Sequence, residues 1–156
     1  MTTFRKIDKN DNEFFKNLIS SEREYYKDFL TIGWSEKQII NQIDKKTNLS
    51  FGGFNNNMLI SFILGDLFNI EKISEYEILL IYVCKNFRKK NLGTRLIKKI
   101  KENNNSLKKI YLEVSKNNID AISFYKNMNF KEVDTRKNYY SIQNKNIDAL
   151  VMSKKY

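Results

Sequence analysis

Residues 109 to 130 read KIYLEVSKNNIDAISFYKNMNF, and this stretch decides the fold more than any other. Residues 109 to 114 alternate between polar and apolar and predict a short strand, with Glu113 on its more polar face. Asn118 then has the position of a helix cap, and the predicted helix that follows carries Tyr125. A strand that leads directly into an amphipathic helix is typical of an α/β domain.

Hydrophobic periodicity extends this pattern over residues 1–156, which we expect to form a single domain. The other predicted helices are Asp11–Ile19, Glu36–Ile43 and Leu92–Asn103. The other predicted strands are Thr2–Lys6, Leu49–Phe54, Met58–Leu67, Glu75–Cys84, Phe130–Arg136 and Ile147–Ser153. The resulting order, β-α-α-β-β-β-α-β-α-β-β, predicts an α/β domain with a mixed sheet.

The composition limits the chemistry that the chain can perform. Lys and Arg outnumber Asp and Glu by 28 to 18, and the net charge of +10 favours anionic partners such as a phosphorylated cofactor or RNA. There is no His, so a general base must be a carboxylate, Tyr, Lys or water. Cys84 is the only cysteine, which excludes an intrachain disulfide and a cysteine zinc site. With no signal-like start and no long apolar run, we expect a cytoplasmic protein without membrane contact.

A basic loop at Arg88–Thr94 joins a predicted strand to a predicted helix. Backbone N–H groups at a helix start bind anions, and Gly93 lets the backbone approach a ligand closely. Arg88, Lys89 and Lys90 add positive charge next to it. The segment therefore predicts a phosphate site, although an ordinary basic turn explains the same residues when the loop is taken alone.

Taken together, these segments resemble the GNAT superfamily of N-acetyltransferases over nearly the full length. Within it, the chain is most similar to the bacterial ribosomal-protein-alanine N-acetyltransferases. The segments that carry the resemblance are Trp34–Glu36, Arg88–Gly93, Leu112–Val114, Asn118, Ala121–Ile122, Phe124–Tyr125, Phe130, Arg136–Tyr140 and Asp148–Ala149. Asn91 and Asn129 stand where the family has glycine, and Asn is the residue that best replaces Gly at positive φ.

The resemblance implies a single GNAT-type domain. Its mixed, mostly antiparallel sheet would have seven strands, helices on both faces and a splayed central parallel pair. It also implies acetyl-coenzyme A as co-substrate, bound at the splay, and no metal. The residues that would bind acetyl-coenzyme A are Ile81, Tyr82, Val83, Arg88, Lys89, Lys90, Asn91, Leu92, Gly93, Thr94 and Asn118.

The resemblance further implies direct attack by an amine on the thioester in a ternary complex. Glu113 would accept the amine proton as general base, and Tyr125 would protonate the leaving thiolate. The acceptor would be the α-amine of a protein N-terminus, first of all a ribosomal protein that begins with alanine. The residues that would contact this acceptor are Trp34, Glu36, Tyr139 and Tyr140.

Several alternatives stay open at this stage. Glu113 is also readily explained as an exposed glutamate, Tyr125 as a core aromatic residue, and Tyr139 and Tyr140 as edge-strand aromatics. A small-amine acetyltransferase for a polyamine or an aminoglycoside would use carboxylates of the N-terminal third, namely Glu22, Glu24, Asp28 and Glu36. A basic RNA-binding module would use Lys98, Lys99, Lys101, Lys108 and Lys109. We expect no direct nucleic-acid role and a monomer or weak dimer.

Overall fold

A computed structural model of the chain describes residues 1–21 and 34–156. This described part contains seven β-strands and four α-helices. In chain order they are β1 (Thr3–Ile7), α1 (Asn12–Ser21), α2 (Glu36–Ile43), β2 (Ser50–Asn55), β3 (Met58–Ile70), β4 (Ile73–Val83), α3 (Leu92–Glu102), β5 (Leu107–Ser115), α4 (Ile119–Asn127), β6 (Lys131–Ile142) and β7 (Lys145–Lys155).

The predicted order of strands and helices is confirmed over the described residues, and the differences lie at the ends of strands and helices. The sequence predicts that β6 ends at Arg136, whereas the strand continues to Ile142. Most β6 side chains are exposed, so its second half lacks the alternation that marks a half-buried strand. The longer β6 includes Tyr139 and Tyr140, which are residues of a strand at the edge of the sheet.

The seven strands form one mixed sheet in the order β1-β2-β3-β4-β5-β7-β6. Strands β4 and β5 run parallel, while the pairs β1–β2, β2–β3, β5–β7 and β6–β7 are antiparallel. The parallel ladder runs from Ser74 opposite Leu107 to Ile78 opposite Leu112, and β4 continues beyond it to Val83. The predicted mostly antiparallel sheet with a central parallel pair is therefore confirmed.

The chain forms two compact units, and β3 and β4 contribute residues to both. The first unit comprises Met1–Leu67 and Leu79–Asn105. At its core, the buried rings of Phe15 and Phe62 meet edge to face with their centroids 5.0 Å apart. Helix α3 buries the apolar stripe that the sequence predicts, formed by Leu92, Leu96, Ile97 and Ile100.

The second unit comprises Phe68–Ile78 and Ser106–Tyr156. Alternate residues of β5 are buried, and the residues between them are partly exposed, with Glu113 among the latter. The residues buried in this unit include Tyr76, Leu107, Ile110, Leu112, Ile122, Tyr125, Ala149 and Met152. The period of two in β5 thus separates a packed face from a half-open face that carries polar groups.

Local sequence signals explain several boundaries. Ser35 caps α2 and forms the predicted capping box with Gln38, an arrangement that stabilises a helix by about 1 kcal/mol. Asn56 and Asn57 both adopt positive φ, 47° and 60°, in the hairpin between β2 and β3. Two consecutive residues at positive φ match the twist of the strands, and Asn tolerates this conformation. Cys84 is buried, as predicted.

Candidate functional site

The start of α3 offers a cluster of backbone donors. Asn91 is the N-cap residue and lies at φ 59°, the left-handed region that its replacement of glycine predicts. Its side chain makes no capping hydrogen bond, and the first intrahelical bond is donated by Arg95 N–H to the Asn91 carbonyl over 3.0 Å. The N–H groups of Leu92, Gly93 and Thr94 therefore precede the hydrogen-bonded part of the helix. Such a helix start binds an anion.

Three exposed cations precede this helix start. Arg88 reaches back toward the end of β4, where its Nε donates to the Val83 carbonyl over 3.0 Å. Lys90 Nζ donates to the Asn86 carbonyl over 3.2 Å. Lys89 lies at φ 57°, so the chain turns sharply within the loop. Positive side chains and helix-start N–H groups thus occur in one short segment, which favours a multiply charged anion such as a diphosphate.

The end of β4 presents a backbone donor on the side away from β3. The N–H of Cys84 donates to the Ile60 carbonyl of β3 over 2.9 Å. Neighbouring residues of a strand direct their N–H groups to opposite sides, so the N–H of Val83 points away from β3. Tyr82 is buried, while Ile81 and Val83 are only partly buried. The Val83 N–H is therefore a donor that does not pair with β3, and the contact of Ile81, Tyr82 and Val83 with a cofactor stays a prediction.

Several polar side chains of the second unit contact Glu113. Its side chain is only 14% exposed and pairs with Arg136, whose Nη1 lies 2.8 Å from Glu113 Oε1. A hydrogen bond to the Glu113 carboxylate raises the pKa of Tyr139, because the phenol must keep its proton to donate. The Tyr140 hydroxyl lies 3.5 Å from the Glu113 carbonyl oxygen. The structure thus brings three of the predicted residues together and adds Arg136.

A second carboxylate lies on the neighbouring strand. Glu77 of β4 pairs with Tyr111 of β5 across the parallel ladder, and the Tyr111 hydroxyl donates to Glu77 Oε2 over 3.4 Å. The negative charge of Glu77 also raises the pKa of Tyr139. Sequence reasoning missed Glu77, although the period of two in Glu75-Tyr76-Glu77 signals that its side chain lies on the half-open face.

An irregularity in β6 aims Tyr139 at Glu113. Arg136 pairs with Ala149 and Tyr140 pairs with Ile147, so residues 137–139 all lie opposite the single residue Asp148. In a regular strand Tyr139 would point to the opposite face from Arg136 and Tyr140, because side chains alternate. The bulge breaks this alternation, and the rings of Tyr139 and Tyr140 meet at 88° with centroids 5.0 Å apart.

Tyr125 is buried on α4, between the rings of Phe124 and Phe130 at centroid distances of 5.2 and 5.4 Å. Burial, and to a lesser extent the charge of Tyr140, raises the pKa of Tyr125 above its ordinary value. The same two kinds of effect raise the pKa of Tyr140 to about 12, with burial first and the Glu113 carboxylate second. Both phenols therefore hold a proton at neutral pH, which is the state that a proton donor needs.

The remaining predicted residues have simpler surroundings. Asn118 caps α4 with its Oδ1, which accepts the Ala121 N–H over 3.1 Å, so its side-chain NH₂ group is the part left for a ligand. Trp34 is partly buried against the hydrophobic core of the first unit. Glu36 is partly buried in the first turn of α2. Their predicted contact with an acceptor remains a prediction.

Residues 1–21 and 34–156 contain neither a metal-holding cluster nor a membrane-spanning helix. In this part of the chain, no three His, Cys, Asp or Glu side chains are grouped as a metal site would require. None of the helices in these residues combines the length and apolar character needed to cross a membrane.

Similarity to known proteins points to one family. Residues 16–130 match the profile of the acetyltransferase (GNAT) family. An N-alpha-acetyltransferase of Sulfolobus acidocaldarius is 43% identical over 65 residues, which span 39% of this chain and 38% of that protein. The chain thus aligns with well under half the length of this curated relative.

Two solved structures have a similar fold. Arabidopsis thaliana NAA60 in complex with a bisubstrate analogue has a TM-score of 0.81 at 19% identity, over 99% of this chain and 98% of the other. The Escherichia coli ribosomal-protein-S18-alanine N-acetyltransferase has a TM-score of 0.78 at 21% identity, over 98% and 92% of the two chains. Since the family profile matches most of its length, the chain belongs to the acetyltransferase (GNAT) family.

Proposed function

We propose that this chain is an acetyl-coenzyme-A-dependent N-acetyltransferase that acetylates the α-amine of a protein N-terminus. The observation that carries the proposal is the convergence of Arg136, Tyr139 and Tyr140 on Glu113. This arrangement combines a carboxylate that can accept a proton with two aromatic side chains that can hold a peptide. The similarity to an N-alpha-acetyltransferase supports the same acceptor class.

The residues of the basic loop fit the phosphates of acetyl-coenzyme A, which supplies the acetyl group as a thioester when it binds. The N–H groups of Leu92, Gly93 and Thr94 would donate to the pyrophosphate, and the neighbouring cations would balance its charge. The Val83 N–H would donate to the thioester carbonyl oxygen and stabilise the negative charge that develops there. The Asn118 NH₂ group would add one more donor.

Glu113 is proposed to take the proton that the attacking amine must lose. A carboxylate has about four lone-pair positions, so the contacts with Arg136 and Tyr139 leave room for another donor. Tyr125, which keeps its proton at neutral pH, is proposed to protonate the leaving thiolate. Attack would be direct, with both substrates bound, and the chain's main contribution beyond proton transfer would be to hold them together.

The charge balance of this cluster favours an α-amine over a polyamine. Arg136 compensates Glu113, so this carboxylate attracts a polycation less strongly than an unpaired carboxylate would. An α-amine has a pKa of roughly 7.7–8.0 against about 10.4 for a lysine-like amine, so freeing the latter costs ~3.5 kcal/mol more. Glu22, Glu24 and Asp28, on which the small-amine alternative relies, lie outside the described residues.

The experiment that tests the proposal compares acceptors directly. The chain is incubated with acetyl-coenzyme A and an Ala-initiated peptide that contains one internal lysine. Matched reactions contain the same peptide with a blocked N-terminus, and spermidine. Mass spectrometry should find acetylation at the α-amine alone. Acetylation of the blocked peptide, or faster acetylation of spermidine, would contradict the proposed acceptor.

Binding of the acetyl donor is tested separately. A ligand that binds the folded state stabilises it, by about 2.7 kcal/mol at a concentration of 100 times Kd. We therefore expect acetyl-coenzyme A to raise the melting temperature. If RNA shifts the melting temperature and acetyl-coenzyme A does not, the nucleic-acid alternative is favoured instead.

A ribosomal protein with N-terminal alanine, in the cytoplasm, is the specific substrate that we propose. Support comes from the resemblance of the chain's motifs and from its net charge of +10, which suits work near an anionic ribosome. Peptides that begin with Ala, Ser, Gly and Met should be acetylated with Ala preferred. Equal kcat/KM for all four would remove the basis for this substrate.

A further inference from the structure

Asp148 lies directly opposite the β6 bulge and binds two other segments. Its Oδ1 accepts the backbone N–H of Asn138 within the bulge over 3.0 Å. Its Oδ2 lies 3.2 Å from Nζ of Lys116, and its backbone carbonyl accepts the Lys116 N–H over 2.9 Å. One residue of β7 thus joins the bulge to the loop that follows β5.

The bulge needs such an acceptor. Residues 137–139 face a single partner residue, so the strand ladder cannot satisfy all of their N–H groups. Asn138 also lies at φ 53°, a conformation that side chains rarely adopt. A carboxylate is a strong acceptor for a backbone N–H and holds this unusual conformation in place. Without it, β6 can return to a regular register, in which Tyr139 faces away from Glu113.

We propose that Asp148 is a positioning residue that sets the contact of Tyr139 with Glu113 by fastening the β6 bulge to the loop after β5. The Asn138 N–H, followed by Lys116, lowers the pKa of Asp148, so the carboxylate is charged at neutral pH and keeps both bonds. Lys116 lies two residues before Asn118, so the same carboxylate also restrains the loop that carries this predicted cofactor ligand. Asp148 would thus act through Tyr139 and the loop after β5 rather than by contact with a substrate.

The first test reads the position of Tyr139 without any assay of activity. NMR titration of tyrosines labelled at the ring carbon that bears the hydroxyl, assigned with Tyr139→Phe, reports the pKa of Tyr139. Glu113 and Glu77 raise this pKa and Arg136 lowers it, while the Tyr140 ring lies beside it. Loss of the Glu113 hydrogen bond should therefore move the pKa of Tyr139 down toward its ordinary value of about 10.

Matched variants separate positioning from charge. Asp148→Ala removes the acceptor and should lower the pKa of Tyr139. Asp148→Asn loses the charge but keeps an oxygen for the Asn138 N–H, and Lys116→Gln removes only the ion pair, so both should retain the wild-type pKa. If Asp148→Ala does not fold, Asp148→Glu displaces the carboxylate by one methylene and should give the same fall.

The second test rests on the proposed function. Asp148→Ala should raise KM for the Ala-initiated peptide at least fivefold and change KM for acetyl-coenzyme A less than twofold, while Asp148→Asn restores the peptide KM. An unchanged pKa of Tyr139 in Asp148→Ala, or an equal defect in Asp148→Asn, would overturn the positioning role. A pKa that falls as expected, in a protein whose wild-type form acetylates no peptide, would support the positioning role and reject the proposed function.

Discussion

Glu113→Gln provides the sharpest separation of catalysis from stability. Glutamine has the shape of glutamate and keeps an acceptor oxygen for Tyr139, but it cannot take a proton from an amine. The lost ion pair involves an Arg136 side chain that is 55% exposed, so its contribution to the free energy of unfolding is only about 1 kcal/mol or less. For a chain of this size, that loss lowers Tm by roughly 2–4 °C.

The expected loss of activity is much larger. A general base typically contributes about 10²–10⁴ in rate, which corresponds to ~2.7–5.4 kcal/mol of activation free energy. The assay is kcat with the Ala-initiated peptide at 25 °C, measured at pH 7 and pH 9. At pH 7 only about one α-amine in six to eleven is neutral, so the variant should recover activity as pH rises through the amine pKa. Wild-type activity should change less over the same range.

Glu75→Gln is the matched control. Glu75 also lies on β4's partly buried face, and its Oε2 pairs with Lys109 Nζ at 2.9 Å, but no role in the site is proposed for it. This substitution should cost similar stability and leave kcat unchanged. A Glu113→Gln variant with kcat within threefold of wild type at pH 7 would refute the general-base role. An equal loss of kcat in both variants would refute it as well.

Three further outcomes follow from the geometry. Tyr125→Phe should lower kcat at least tenfold with KM for the peptide unchanged, because the role proposed for its buried hydroxyl concerns only the leaving group. Steady-state kinetics with kcat near wild type would exclude that role. Asn91→Gly should bind acetyl-coenzyme A as well as wild type. In Asn91→Ala the φ of 59° costs about 1 kcal/mol, so this variant should bind acetyl-coenzyme A more weakly by isothermal titration calorimetry. Equal affinities would show that the conformation of residue 91 does not affect binding. Because the pKa of Tyr140 is raised, its protonated phenol stabilises the fold fully below pH 10, and this stabilisation is lost as pH rises from about 10 to about 12. Urea unfolding at pH 9 and pH 11 should show the loss as a lower free energy of unfolding at pH 11. Tyr140→Phe should reduce the difference between the two pH values.

Local signals were sufficient to predict much of the fold. The apolar stripe of α3, the Ser35–Gln38 capping box and the Asn56–Asn57 turn each depend on residues close in sequence, and each is present. Asn91 and Asn129 lie at φ 59° and 66°, as expected for asparagines that replace glycine. These features are set by backbone sterics and helix geometry, which act over a few residues.

The contacts of the candidate site depend on register, which the sequence pattern does not determine. Arg136 reaches Glu113 because β7 lies between β5 and β6 in the sheet and places Arg136 opposite Ala149. Tyr139 reaches Glu113 only because of a bulge, and strict alternation would have excluded it. Alternation predicts the face of Glu113 correctly, but a single strand carries no information about the partners that cross-strand pairing brings to it.

The β6 bulge has a consequence for self-association. Strand β6 is an edge of the sheet, and its exposed residues include Lys131, Glu132, Asp134, Arg136 and Lys137. A flat, uncharged edge would present a row of backbone groups on which a second chain can add a strand. The distortion at residues 137–139 interrupts that row, and charged side chains on the strand disfavour burial against another chain. The bulge that aims Tyr139 at Glu113 therefore also makes the β6 edge a poorer template for strand addition.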